Sequence, residues 1–187
     1  NRYGVTLVMD CMHSSNAREA YRQLAEEGKL TIRARGVYMV EPKKAKEQLA
    51  EYIARKGRDD CGDDFRIDTV KIFAEGMFSL VEPYEREFTE ENNLPEDYNE
   101  PLYWDDEVFV ETASAAMESG LNVHVHAMGD NAVKQSIRCL AKAQENTGIV
   151  PGNTIAHLML VKDEDVDAMA EASIIANCQP RWMVYDS

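Results

Sequence analysis

No apolar run in the chain approaches the roughly 20 residues that a membrane-spanning helix needs, and no leader pattern opens it. Positive charge is scarce: 20 Lys and Arg stand against 34 Asp and Glu, a formal net charge of −14 at pH 7. That balance argues against a nucleic-acid partner, which needs clustered Lys and Arg to neutralise phosphates, and against docking on anionic lipid. Cysteine is sparse too. Cys11, Cys61, Cys139 and Cys178 are widely spaced and form no C-x-x-C. Zinc knuckles and thioredoxin-like motifs therefore lose support, and free thiols in a reducing cytoplasm are the simplest reading. H-E-x-x-H, P-C-x-x-C, G-x-S-x-G, G-x-x-x-x-G-K and G-x-G-x-x-G are all absent. Zincins, cytidine-type deaminases, serine α/β-hydrolases, triphosphate loops and dinucleotide folds lose ground with them.

What is present suits one soluble domain with a real core: 187 residues, 44% hydrophobic and 29% charged. The chain starts at Asn1, runs almost at once into Val5-Thr6-Leu7-Val8-Met9, and stops at Ser187 soon after Ile174-Ile175-Ala176-Asn177-Cys178. Residues 1–187 are therefore expected to be an internal piece of a longer domain.

Short apolar, β-rich runs at residues 5–9, 31–40, 69–74, 122–126, 154–158 and 174–178 alternate with stretches of helical period. Most runs lack strict polar alternation, as parallel strands covered on both faces do. Asn16 with Glu19 is a plausible capping pair for the first helix, and Gly28 closes it. Gly57 and Gly120 end the next two, Asp105 and Asp106 favour a helix start, Asp130 can cap a helix over 131–145, and Asp163 a short one. A β-α-β-α order implies α/β with a parallel sheet. Two architectures fit: an open doubly wound sheet, flavodoxin-like, or part of a (β/α)8 barrel, which when complete needs about 250 residues. The connection between Phe78 and Trp104 is unusually long and mixes acids, prolines and aromatics. It reads as an ordered lid or pocket wall, or as a solvated acidic excursion.

All four histidines fall at or just after a strand. His13 follows the first. His124 and His126, two apart, share one face of theirs, and an H-x-H pair can chelate a divalent metal, although one ring can equally ligate while the other packs. His157 belongs to the next strand, so its ring and that of His126 could converge beyond the strands' carboxyl ends, where parallel folds bind ligands. Lys71 sits among apolar residues, where a charge must be paired or modified. Either its stem packs and its head reaches water, or it is a site lysine, conceivably carrying a carbamate that bridges two metals. Glu75 ends that strand and could bind metal, orient a ligand or cap the following turn.

Val70-Lys71-Ile72-Phe73-Ala74-Glu75-Gly76, His124-Val125-His126-Ala127-Met128-Gly129-Asp130-Asn131-Ala132-Val133, Ile155-Ala156-His157 and Gln179-Pro180-Arg181-Trp182 follow one another in this order. Together they resemble the central part of the amidohydrolase superfamily, specifically the YtcJ-like group that includes N-substituted formamide deformylases. The resemblance implies a (β/α)8 TIM barrel, with strands two through seven in this chain, and a centre of one or two divalent metals, zinc being expected. By position it implies Lys71, His126 and His157 as metal ligands and catalytic residues. His124, Glu75, Asp130 and His13 remain candidates for touching the substrate or supporting the ligands. The implied chemistry is attack of a metal-activated water on the carbonyl of a small amide or formamide.

Glu75 stands where the family usually has Asp, and Ala156 where it usually has Glu. The strand-one His-x-His pair and the strand-eight Asp are expected upstream of Asn1 and downstream of Ser187. The isolated chain is accordingly expected to bind metal poorly, to turn nothing over, and to self-associate through open strand edges and uncovered apolar faces. The alternative is an open flavodoxin-like domain with structural histidines and a binding or interaction role, and strand order separates the two.

Overall fold

A computed structural model describes residues 2–12, 14–81, 90, 93, 95 and 97–179. Along the chain lie β1 (Leu7–Asp10), α1 (Ser15–Glu26), β2 (Arg33–Met39), a 3-10 turn (Pro42–Lys44) and α2 (Ala45–Arg55). Then come β3 (Phe65–Phe73), α3 (Asp106–Glu118), β4 (Asn122–Ala127), α4 (Asp130–Thr147), β5 (Thr154–His157), α5 (Asp163–Glu171) and β6 (Ile175–Asn177). The six strands form one parallel sheet in the order β1-β2-β3-β4-β5-β6. An order that never reverses has no topological switch point, so the sheet winds one way and curls into a half-barrel. The open flavodoxin-like alternative is thereby set aside.

The sheet's two faces part cleanly. Val70, Ile72, Val123, Val125 and Ile155 are fully buried, in one cluster with Phe109, Ala113, Ala116, Val133, Ile137 and Leu140 of the covering helices. Register places Lys71 beside His124, and Phe73 beside His126 and then Ala156, on the opposite, concave face. Among the described residues no helix is long and apolar enough to cross a membrane.

Several local expectations shift. β3 starts at Phe65, ahead of its continuous apolar run, because Phe65 and Ile67 are buried while Arg66 points outward. Its first half alternates, as a half-covered strand does. Ser14 caps α1, its side chain accepting from Ala17 N at 3.2 Å, which leaves Asn16 inside the first turn. Asp105 caps α3 by accepting from Glu107 N at 2.9 Å. Asp130 is the first residue of α4 rather than its cap, and its carboxylate turns away to accept from Val81 N at 3.0 Å. Asp163 likewise opens α5, while Asp165 accepts from the Lys162 N–H at 3.2 Å.

The long connection lies partly outside the described residues, Pro83, Tyr84 and Phe88 included. Its two described arms run back along each other. Glu100 N donates to Phe78 O, and the Asn99 side chain both accepts from Leu80 N (2.8 Å) and donates to Leu80 O (3.0 Å). The return arm is tied to the end of β3: Tyr103 N donates to Ala74 O and Trp104 Nε1 to Phe73 O. Phe78, Leu80 and Met128 pack with Tyr98, Met159 and Leu160 in a small apolar cluster beyond the ends of β3, β4 and β5.

At the opposite end of these strands, fully buried Asn153 stitches three elements together. Its Oδ1 accepts from Val123 N at 2.9 Å, its Nδ2 donates to Gln144 Oε1 at 2.9 Å, and its carbonyl accepts from Ile175 N. Asn153→Ala strands a buried backbone N–H and a buried amide, a loss of about 1–3 kcal/mol per unsatisfied group. In urea unfolding the midpoint is expected to fall with the slope unchanged.

Candidate functional site

Lys71 is only 2% exposed, so its head does not reach water. Its Nζ lies 3.0 Å from His124 Nδ1 and 5.0 Å from the centre of the Phe73 ring. Among the described residues no carboxylate forms an ion pair with it. Burial alone draws its pKa down to about 8.

His124 is equally buried. With Lys71 as the ammonium, its Nζ can only donate to Nδ1, and in that state Nε2 carries the ring's proton. Nε2 then has Cys11 Sγ at 3.5 Å, just past β1, as its acceptor, while Asn177 Nδ2 on β6, 3.4 Å away, is itself a donor and only packs against it. One ring thus meets groups from three other strands. Burial, reinforced by the Lys71 charge, pulls its pKa down to about 3.

His126 stands one step nearer the strand ends. Its Nε2 lies 3.0 Å from Gly76 O. A carbonyl only accepts, so Nε2 is the protonated nitrogen and Nδ1 holds the lone pair. Burial first, then the neighbouring His157 and Lys71, lower its pKa to about 4. The His157 ring meets it edge-on, centroids 4.6 Å apart.

That meeting breaks the strand's own alternation. His157 pairs in register with Ala127 rather than with His126, and regular pleating would put it on the helix-covered face. Its backbone is left-handed, φ 82°, and so is that of Leu158, φ 51°. The twist swings the ring into the concavity. Non-glycine residues held in this region cost about 1–3 kcal/mol and cluster at functional sites. His157 Nδ1 lies 2.6 Å from Gln179 Oε1, which assigns the proton to Nδ1 and the lone pair to Nε2. Gln179 is itself held by its Nε2 donating to Asn177 O at 2.9 Å. Burial lowers the His157 pKa as well.

The remaining candidates fall elsewhere. Glu75 is fully buried, and both its oxygens face backbone donors: Ser79 N, Met128 N (2.5 Å) and Gly129 N (2.7 Å). Burial pushes its pKa up while these N–H groups pull it back. Asp130, 1% exposed, holds Val81 N and lies 3.4 Å from Lys162 Nζ. His13 lies outside the described residues, as do Pro180, Arg181 and Trp182. Among the described residues no group of three or more His, Cys, Asp or Glu is gathered as a metal would need. Cys11, Gly76 and Gln179 were not singled out as site neighbours: Cys11 carries no signal beyond a position just past a strand, while Gly76 and Gln179 stand in the stretches that resemble the family but touch the rings only from their far sides.

The arrangement is therefore two neutral imidazoles with their lone pairs on known nitrogens, beside a desolvated lysine. Neutral imidazole is the ligating form for Zn and other divalent transition metals, so these residues fit part of such a centre.

Comparison with known proteins bears on the family and the fold. The model of the amidohydrolase family matches residues 1–187. Exoenzymes regulatory protein AepA of Pectobacterium carotovorum subsp. carotovorum is 25% identical over 97% of this chain and 38% of its own length. An uncharacterized metal-dependent hydrolase from Pyrococcus horikoshii OT3 superposes with a TM-score of 0.74 at 24% identity, over 98% of this chain and 35% of that one. Another from Pyrococcus furiosus gives 0.67 at 26% identity, over 97% and 34%. The chain thus spans little more than a third of the length of each.

All three depressed histidine pKa values act in one direction. Unfolded, these rings titrate near pH 6.5; folded, His126 titrates near 4 and His124 near 3. Their contribution is complete above pH 6.5 and is lost as pH falls through the folded values. The urea midpoint of the metal-free chain is expected to drop between pH 6.5 and 4, with a shallower drop in His126→Asn.

Proposed function

The chain belongs to the amidohydrolase family, and from that premise we propose that it forms part of a metal-dependent hydrolase acting on amide or formamide C–N bonds. The observation that carries the reading is the His126–His157 pair: two neutral rings in edge contact at the ends of neighbouring parallel strands, with Nδ1 and Nε2 as their donor atoms. Within the family, the His126-Ala127-Met128-Gly129-Asp130-Asn131-Ala132-Val133 stretch supports the YtcJ-like group.

In this reading His126 and His157 hold a divalent metal, zinc being the preferred assignment for imidazole donors. When bound, the metal supplies Lewis acidity, polarising a carbonyl and lowering the pKa of water. Gly76 O and Gln179 Oε1 fix the orientation and tautomer of the two rings, as outer hydrogen-bond partners do at metal sites. Lys71 is the third group, its desolvated amine close enough to neutrality to act as a donor or to carry a carbamate. The apolar cluster of Phe78, Leu80 and Met128 lies beyond the ends of the same strands, where it is proposed to form one wall of the site. Small amide-like molecules are the proposed substrates. Four free cysteines fit a reducing, cytoplasmic setting.

Further donors are needed to complete the centre, and the 187 residues alone are proposed to bind metal weakly and to turn nothing over. The full-length protein is expected to carry stoichiometric divalent metal by elemental analysis and to hydrolyse simple amides or formamides. His126→Ala and His157→Ala are each expected to lose metal and more than about 100-fold in kcat/KM, beyond the effect of removing an outer partner. Wild-type activity in both variants would defeat the reading.

The isolated chain is also proposed to self-associate. Leu7 and Met9 share one face of β1, and they and Val5 just before it are each more than 40% exposed, while Ile175 of β6 is 52% exposed. Both strands are sheet edges. Sedimentation velocity is expected to show mass rising with concentration; a monomer throughout would rule this out.

A further inference from the structure

His124 is the residue that the hydrolase reading leaves without a task. It shares a face with His126, yet neither of its nitrogens is turned toward the His126–His157 pair by any contact observed. Nδ1 takes Lys71 Nζ at 3.0 Å, and Nε2 faces Cys11 Sγ at 3.5 Å and the Asn177 amide at 3.4 Å. Lys71 and His124 are register partners on adjacent strands and each is 2% exposed. The lysine has four rotatable side-chain bonds, and among the described residues no carboxylate to anchor it. Among the described residues, the contact with Nδ1 is the one hydrogen bond that fixes where its nitrogen sits. We propose that His124 is a positioning residue for Lys71, its Nδ1 serving as the acceptor that aims the ammonium and its Nε2 N–H directed at Cys11 Sγ just past β1.

This predicts a chemical asymmetry within one ring. Asparagine places its Oδ1 near the position of a histidine Nδ1, whereas glutamine places its amide near Nε2. His124→Asn keeps an acceptor for Lys71, and His124→Gln keeps a polar group facing Cys11 and Asn177 but withdraws that acceptor. His124→Phe removes both.

The test has two arms. In the 187-residue chain, each variant is checked for native circular dichroism and pulsed with limiting acetic anhydride, and acetylation at Lys71 is read by peptide mass spectrometry. Wild type and His124→Asn are expected to share one slow rate, while His124→Gln and His124→Phe react roughly fivefold faster, the worth of one hydrogen bond. In the full-length protein, metal content and kcat are expected to fall in His124→Gln and to be rescued in His124→Asn, with KM unchanged. Only the second arm rests on the hydrolase reading. If wild type hydrolyses no amide while the labelling order holds, that reading fails and the positioning role stands. Any other order of labelling, including Asn and Gln behaving alike, overturns the positioning role.

Discussion

The mouth of this half-barrel hangs on a carboxylate that never meets solvent. Glu75, at the end of β3, accepts the backbone N–H groups of Ser79, Met128 and Gly129. A buried carboxylate is costly unless such donors surround it, and here they come from two segments that have to lie side by side. Gly129 makes that approach feasible: a Cβ there would collide with the Ser79 backbone. The residues that follow extend the same seam. Asn131 donates its N–H to Ser79 O and its side-chain amide to Ser79 Oγ, and Asp130 holds Val81 N. Once the seam is closed, Gly76 is fixed, its carbonyl meets His126 Nε2, and the ring's lone pair is committed to Nδ1. The stretch from His126 to Asn131 is thus the receiving half of a joint whose other half is Glu75 to Val81.

A second constraint works one strand over. A parallel sheet that pleats regularly sends every other residue into the concavity, and His157 is on the wrong beat relative to His126. Two consecutive left-handed residues undo the pleat at the strand's last step. Leu158 then donates to Ala127 O and Leu160 to Met128 O, so β5 stays laced to the segment after β4 despite the twist. The backbone strain is local, and the hydrogen bonds on either side are what make it tolerable.

What the sequence disclosed and what it withheld divide along the range of the interactions. The strands of the sheet's middle were readable because Val70, Ile72, Val123 and Val125 are apolar for a local reason, burial against helices. Lys71 and the H-x-H pair were readable because their chemistry conflicts with that setting. The cap of α1 was misplaced by two residues, since Ser14 and Asn16 have equal propensity and only the backbone geometry chooses between them. Asp130 and Glu75 looked free for chemistry because their partners, Val81 and Gly129, lie 49 and 54 residues away. The inward turn of His157 depends on φ at a residue type that ordinarily avoids that region, and no pattern of apolar periodicity signals it.

Stability alone does not account for the concave face. Lys71, His124 and His126 are each pushed by burial toward their neutral forms, and apolar packing by itself does not call for titratable side chains at buried positions. Departures from local consistency in natural sequences concentrate where function requires them. Here three such departures, and the left-handed backbone of His157 as a fourth, meet at the carboxyl ends of three successive parallel strands, the place where barrels of this class bind their ligands. The features least explicable as folding are therefore the ones on which the proposed site rests.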